Sequence, residues 1–183
     1  ITKKQTYAQA FTIYSLSEYY KYSRKCAALE WGMEIFYQLE KITLDVNSGG
    51  YMESFKRDWQ PIEDMRLSEK DLNASKSMNT HLHILEAYTT LFEVSGNKKV
   101  GSALEFLIHL ILDRFMTEDY HFGLFFSNDW NSLSAEVSYG HDIEAAWLLV
   151  NAARKLGNKD LIRSAETNAI SIADSFVMQA LDK

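Results

Sequence analysis

Two stretches, LFEVSGNKKVGSALEFLIHLIL at 91–112 and ARKLGNKDLIRSAETNAISIA at 153–173, carry the same interruption: an apolar-periodic run, then Gly-Asn-Lys, then a second run. Glycine after an apolar-periodic stretch stops a helix, and the asparagine that follows caps the next one. Each stretch is therefore the turn of a helical hairpin. A third break of this kind lies in YYKYSRKCAALEWGMEIFYQL at 19–39. Between residues 100 and 115, Val100, Leu104, Leu107, Ile108 and Ile111 fall within about a third of the helix circumference, with Ser102, Glu105, His109 and Asp113 opposite. One proline and eight glycines in 183 residues fit a mostly helical chain.

Working outward, the sequence predicts six helices, near 4–22, 24–41, 74–95, 98–116, 140–156 and 158–180. They form one all-α domain over 1–183, with hairpins at about 4–41, 74–116 and 140–180 and long connections at 42–73 and 117–139. Hairpins joined in this way suggest a toroid or solenoid in which the first helix of each pair lines the inner surface. Short links lie at one end and long aromatic-rich links at the other, where sites tend to be built. The segments 50–59 and 122–130 suit short extended ribbons there, and their aromatics offer flat faces on which sugar rings stack.

Nineteen basic and twenty-five acidic residues give a net charge of -6 with no basic cluster, which excludes the usual nucleic-acid or anionic-membrane footprint. No apolar run approaches the roughly 20 residues of a membrane span. Cytoplasm is the default compartment. Cys26, the one cysteine, sits among Ala27, Ala28 and Leu29 and is expected to be a buried apolar filler.

The run SYGHDIEAAWLL at 138–149 sets His141 and Glu144 one turn apart on a segment otherwise apolar on all sides, the pattern of a buried helix. Two ionisable groups there are either a hydrogen-bonded structural pair or the working groups of a site. On the preceding inner helix Asn79, His83, Glu86 and Thr90 fall within about 60° of one another, and on the first Tyr7, Phe11, Tyr14 and Glu18 align. His83 is open to two readings, a satisfied core histidine or a catalytic group. His81 lies about 160° around from His83, so the two cannot chelate one metal, and His81 is expected to pack. His109 is expected to be solvated, and His121 is left undecided. The two His-x-x-Glu pairs reverse the Glu-x-x-His order of di-iron bundles, and the scattered carboxylates show no glycosidase spacing.

The runs KSMNTHLHILEAYTTLF at 76–92, FGLFFSNDWN at 122–131 and SYGHDIEAAWLL at 138–149 resemble the cellobiose 2-epimerase and N-acylglucosamine 2-epimerase family, as do TYAQAFTIYSLSEYY at 6–20 and MESFKRDWQPIED at 52–64. Nearly the whole chain is covered, and the likeness is greatest to the disaccharide-acting branch, mannobiose 2-epimerases included. The resemblance implies an (α/α)6 barrel, of which three hairpins make about half, and so a fragment of a longer chain. It implies interconversion of C2 epimers at the reducing end of a disaccharide, without cofactor or metal. A proton beside the aldehyde is removed, an enediolate forms, and a proton returns to the other face; histidine suits both transfers. By motif, His141 matches one of two bases, Glu144 supports it, and Asn79 and His83 bind the sugar or steady charge on its oxygens. Tyr7 and Trp147 match pocket residues, and Asp142 is carried with them as substrate-binding. The family's second histidine and an arginine on the reacting oxygens have no counterpart here, so these residues alone are expected not to epimerise at a normal rate. The alternatives are an inactive carbohydrate-binding relative, or a hydrolase or metal enzyme on the same toroid.

Overall fold

A computed structural model describes residues 3–180. Six α-helices follow one another as three hairpins: α1 (Thr6–Ser23) with α2 (Cys26–Ile42), α3 (Met78–Ser95) with α4 (Lys98–Leu110), and α5 (Tyr139–Leu156) with α6 (Lys159–Gln179). The Gly-Asn-Lys turns act as the sequence predicts. Gly96 and Gly157 close α3 and α5 in the left-handed conformation, and Asn97 and Asn158 cap α4 and α6 through side-chain oxygens that accept from Lys99 and from Asp160 and Leu161.

α1, α3 and α5 pack side by side as one layer, and α2, α4 and α6 cover it from one side. α3 is the spine: Leu82, Ile84, Leu85, Ala87, Tyr88 and Leu91 are all fully buried, because neighbours press on it from both sides and from behind. α4 ends in a π-helical turn, Ile111–Phe115, whose extra residue swings Phe115 into the core.

Four short strands tie the long connections down at the end where the inner helices begin. β1 (Lys3–Gln5) pairs antiparallel with β2 (Ser54–Lys56), and β3 (Lys76–Ser77) with β4 (Phe125–Phe126). Because β1 and β3 run directly into α1 and α3, these ribbons fix where the first turns of two inner helices lie.

Three expectations are corrected. α3 starts at Met78 rather than near 74, because Lys76 and Ser77 pair with β4. Cys26 is exposed. It opens α2 at the hairpin turn, about 200° around the helix from Ala28, which leads the buried stripe Ala28, Gly32, Phe36 and Leu39. α5 is not buried on all sides: Trp147 is 55% exposed. With Ile143 and Val150 it lines an open groove of about 590 Å³ against Ala169 and Ala173 of α6, since no element among the described residues packs on that side.

Candidate functional site

The inner helices present their first turns to one concave surface. Tyr7 and Phe11 on α1 close around His83 on α3, with ring centroids 5.1 and 4.7 Å from the imidazole and 4.8 Å from each other. His83 Nδ1 lies 3.2 Å from Glu86 Oε2, so the carboxylate accepts from Nδ1–H and leaves Nε2 free. Both residues keep partial access to solvent. The polar stripe of α3 and the aromatic face of α1 thus meet.

Asn79 and His141, 62 positions apart in sequence, line one cavity of about 250 Å³ together with Ser77, Phe125, Glu53 and the 65–74 segment. His141 Nδ1 stands 2.7 Å from Ser138 Oγ, a contact that orients the ring from the residue before the helix. Lower on the same surface, Trp147 shares a concavity of about 340 Å³ with Tyr14, Glu86 and Thr90. Below it Lys21 bridges Glu18 (2.6 Å) and Glu93 (2.8 Å), and Lys155 reaches Glu93 at 2.5 Å, linking all three inner helices at the short-turn end. Among the described residues, the side chains of Asn79, Glu144 and Trp147 make no hydrogen bond to protein. Asn79 and Trp147 line concavities and are available to a ligand, and Glu144 is half-buried one helical turn from His141.

Asp142 is not on this surface. It is buried, its carboxylate accepts from His121 Nδ1–H (2.8 Å) and from the Phe122 amide (3.0 Å), and it pins the 117–122 turn to α5. The far nitrogen of His121 lies 3.2 Å from Gln179 Oε1 and 3.3 Å from Ser175 Oγ on α6. His121 is therefore a structural link. The pairing was invisible in sequence, since it joins a loop to a helix 21 residues on.

Behind the cavity lies a fully partnered floor. His81 is buried; its Nδ1–H donates to the Ser77 carbonyl (2.7 Å) and its Nε2 accepts from the Tyr51 amide (2.8 Å). Burial lowers its pKa to about 4, and the nearby Lys76 ammonium pushes the same way. Lys76 is itself buried, donating to Asp45 (2.9 Å), Ser48 (2.6 Å) and the Asn128 carbonyl (2.7 Å) beneath the Trp130 ring. Trp130 does not offer an open face for a sugar. It is clasped by Phe115, Phe126 and His81 and donates from Nε1 to the Ser48 carbonyl at 2.8 Å. Gly50 passes over both rings at φ +82, where a Cβ would stand 2.7 Å from Trp130 and 2.9 Å from His81.

Glu53 is a site feature that the sequence did not single out. It is 3% exposed, and burial raises its pKa to about 7 against the bonds from Thr80 and Ser77. Among the described residues no three His, Cys, Asp or Glu side chains come together as a metal site, and no helix is long and apolar enough to cross a membrane.

Residues 2–181 match the family profile of N-acylglucosamine 2-epimerase (GlcNAc 2-epimerase). The chain is 47% identical over 173 residues to a cellobiose 2-epimerase of Bacteroides fragilis, covering 94% of this chain and 44% of that one. It is 37% identical over 181 residues to a cellobiose 2-epimerase of Dictyoglomus turgidum, covering 98% and 46%. The crystal structure of a sugar epimerase from a ruminal bacterium superposes with a TM-score of 0.94 at 38% identity, over 99% of this chain and 46% of that one. The chain spans a little under half the length of these relatives, and its three hairpins correspond to about half of an (α/α)6 barrel.

Proposed function

The chain belongs to the N-acylglucosamine 2-epimerase family, and from that premise we propose that it forms part of a sugar 2-epimerase acting at the reducing end of a β-1,4-linked disaccharide such as cellobiose or mannobiose. The observation that carries this reading is the meeting of Asn79 and His141 in one cavity beside the Tyr7–Phe11–His83 cluster, with the side chains of Asn79 and Glu144 making no hydrogen bond among the described residues.

With Nδ1–H turned to Ser138, His141 keeps Nε2 as the free base. It takes the C2 proton of the opened sugar, and the C–H electron pair moves through C1 onto the aldehyde oxygen to give an enediolate. Asn79 donates to the sugar oxygens as this charge develops, and the free Nε2 of His83 accepts from a sugar hydroxyl and so orients the ring. Glu144, one turn from His141, steadies the imidazolium, and Tyr7 and Trp147 wall the ring positions. Return of a proton to the opposite face needs a second group, which on this reading lies outside residues 1–183 together with an oxygen-binding arginine. Substrates and products are small carbohydrates, and no step calls for a metal or nucleotide.

The test incubates the folded full-length protein with cellobiose and with mannobiose in deuterium oxide. Formation of the C2 epimer with deuterium at C2 is expected. Binding of either sugar without exchange at C2 would replace this reading by a carbohydrate-binding role, and release of monosaccharide by hydrolysis. Residues 1–183 alone are expected to exchange C2 hydrogen far more slowly than the full-length protein, and equal rates would refute the need for the second group.

A further inference from the structure

We propose that Glu53 is a positioning residue of the sugar site, one side chain and one peptide unit that together set the first turns of both inner helices carrying Tyr7, Asn79 and His83. The proposal rests on the sugar-site reading above.

Glu53 follows the 42–51 connection and precedes β2, so nothing in its local sequence distinguishes it from a surface carboxylate. The tertiary structure gives each of its polar atoms a partner. Oε1 accepts from the Ser77 amide at 2.7 Å and Oε2 from the Thr80 hydroxyl at 2.6 Å. Ser77 is the cap of α3, and its own Oγ accepts from the Thr80 amide at 3.2 Å. The carboxylate therefore closes the helix N-terminus from outside while the serine closes it from inside, at the end where a negative charge is favoured. Asn79 lies between the two bonded residues, and His83 stands one turn beyond. The Glu53 carbonyl accepts from the Thr6 amide at 2.9 Å, and Thr6 Oγ1 donates to the neighbouring Met52 carbonyl at 2.5 Å. Thr6 opens α1, one residue before Tyr7. The Glu53 amide completes the tie by donating to the Ser75 carbonyl at 3.1 Å.

These contacts make Glu53 the joint between β2, α1 and α3. Its side chain also lines the cavity shared by Asn79 and His141. A carboxylate accepts from both donors at once, whereas its protonated form carries a hydroxyl that must donate. The Thr80 hydroxyl can accept from that group, so protonation keeps both contacts but removes the negative charge that faces the α3 N-terminus at the turn holding Asn79. The charged and titratable groups around it are Asp71 and Arg66 of the 62–74 connection and His141 of α5. Desolvation, the dominant influence on Glu53, brings this change into the range near pH 7.

The experiment compares the full-length wild type with Glu53→Gln and Thr80→Val by amide hydrogen exchange and by epimerisation kinetics from pH 5.5 to 8. Glu53→Gln keeps the shape and the acceptor for the Ser77 amide but removes the charge at the α3 N-terminus, and its NH2 meets the Thr80 hydroxyl as a donor. Expected are at least tenfold faster exchange at the first turn of α3, with α1, which the Glu53 carbonyl still holds, and the α5–α6 hairpin unchanged, and a KM raised about fivefold or more at pH 8. The wild-type KM is expected to rise as pH falls through 7, and in Glu53→Gln the part of that rise owed to Glu53 should be absent, leaving a shallower profile. Thr80→Val, which removes the hydroxyl that meets Oε2, should reproduce the exchange at α3. Wild-type exchange at the α3 turn in Glu53→Gln overturns the proposal whatever the activity. Faster exchange with an unaltered KM and pH profile reduces Glu53 to a structural residue and overturns it too. A wild type that does not turn over either sugar defeats the parent reading instead.

Discussion

The two histidines of α3 stand two residues apart and belong to different regions. His81 points into the floor, where both ring nitrogens are engaged by backbone and burial keeps it neutral to about pH 4. His83 faces the concave surface, held by one carboxylate and two aromatic rings with Nε2 free. The same division runs through the molecule. Lys76, Trp130, Asp142 and His121 are spent on protein partners, while among the described residues the side chains of Asn79, Glu144 and Trp147 make no hydrogen bond. Substitutions in the floor should therefore register as stability, and substitutions on the concave face as turnover.

The severest break in that comparison is Gly50→Ala. A Cβ is placed under 3 Å from both Trp130 and His81 at a positive φ, so a loss of about 3 kcal/mol or more is expected by chemical denaturation. A change below about 1 kcal/mol would show that the floor is not closely packed. Next is Asp142→Ala, which strands the buried His121 Nδ1–H and Phe122 N–H; about 2 to 4 kcal/mol should be lost. Full stability with lost sugar binding would return Asp142 to the site.

A smaller effect comes from pH. His81 has a folded pKa below its unfolded value of 6.5, so the stability tied to it is fully present above pH 6.5 and is lost as pH falls toward 4. Glu53 has a folded pKa above its unfolded 4.5, so its contribution is full below pH 4.5 and is lost as pH rises toward 7. Between pH 4.5 and 6.5 the two slopes oppose each other. Glu53→Gln removes one, and denaturation midpoints should then fall with acid by up to about 1.4 kcal/mol per pH unit. A flat profile in that variant would mean that His81 is not held neutral.

The smallest stability effect belongs to the concave face. His141→Gln should change unfolding free energy by no more than about 0.5 kcal/mol, since among the described residues its side chain bonds only Ser138, while C2 exchange falls by about 10²- to 10⁴-fold. Retained exchange would remove His141 from proton transfer, and a large stability loss would move it to the floor.

Helix positions were legible because hairpin turns are local chemistry: Gly96–Asn97 and Gly157–Asn158 need only their neighbours to stop one helix and cap the next. The stripes of α1 and α3 were legible for the same reason, since faces follow from helical arithmetic alone. That arithmetic also separated His81 from His83. It failed for Cys26, where apolar neighbours in sequence lay on another face, and for the 139–156 helix, whose apolar open side no described element covers. Asp142 sits beside His141 in the chain yet points away from it, because adjacent helical residues diverge by about 100°.

The sequence by itself determined the six helices, their pairing into hairpins and the faces on which Tyr7, Asn79, His83 and Glu144 stand, because periodicity and capping act within one turn. Only the tertiary structure decided which partners the polar groups take. Asn79 meets His141, His121 takes Asp142, and Glu53 joins the starts of α1 and α3 through bonds that span 20 residues or more. Such bonds depend on how the long connections fold over the helix ends, and no local pattern encodes that.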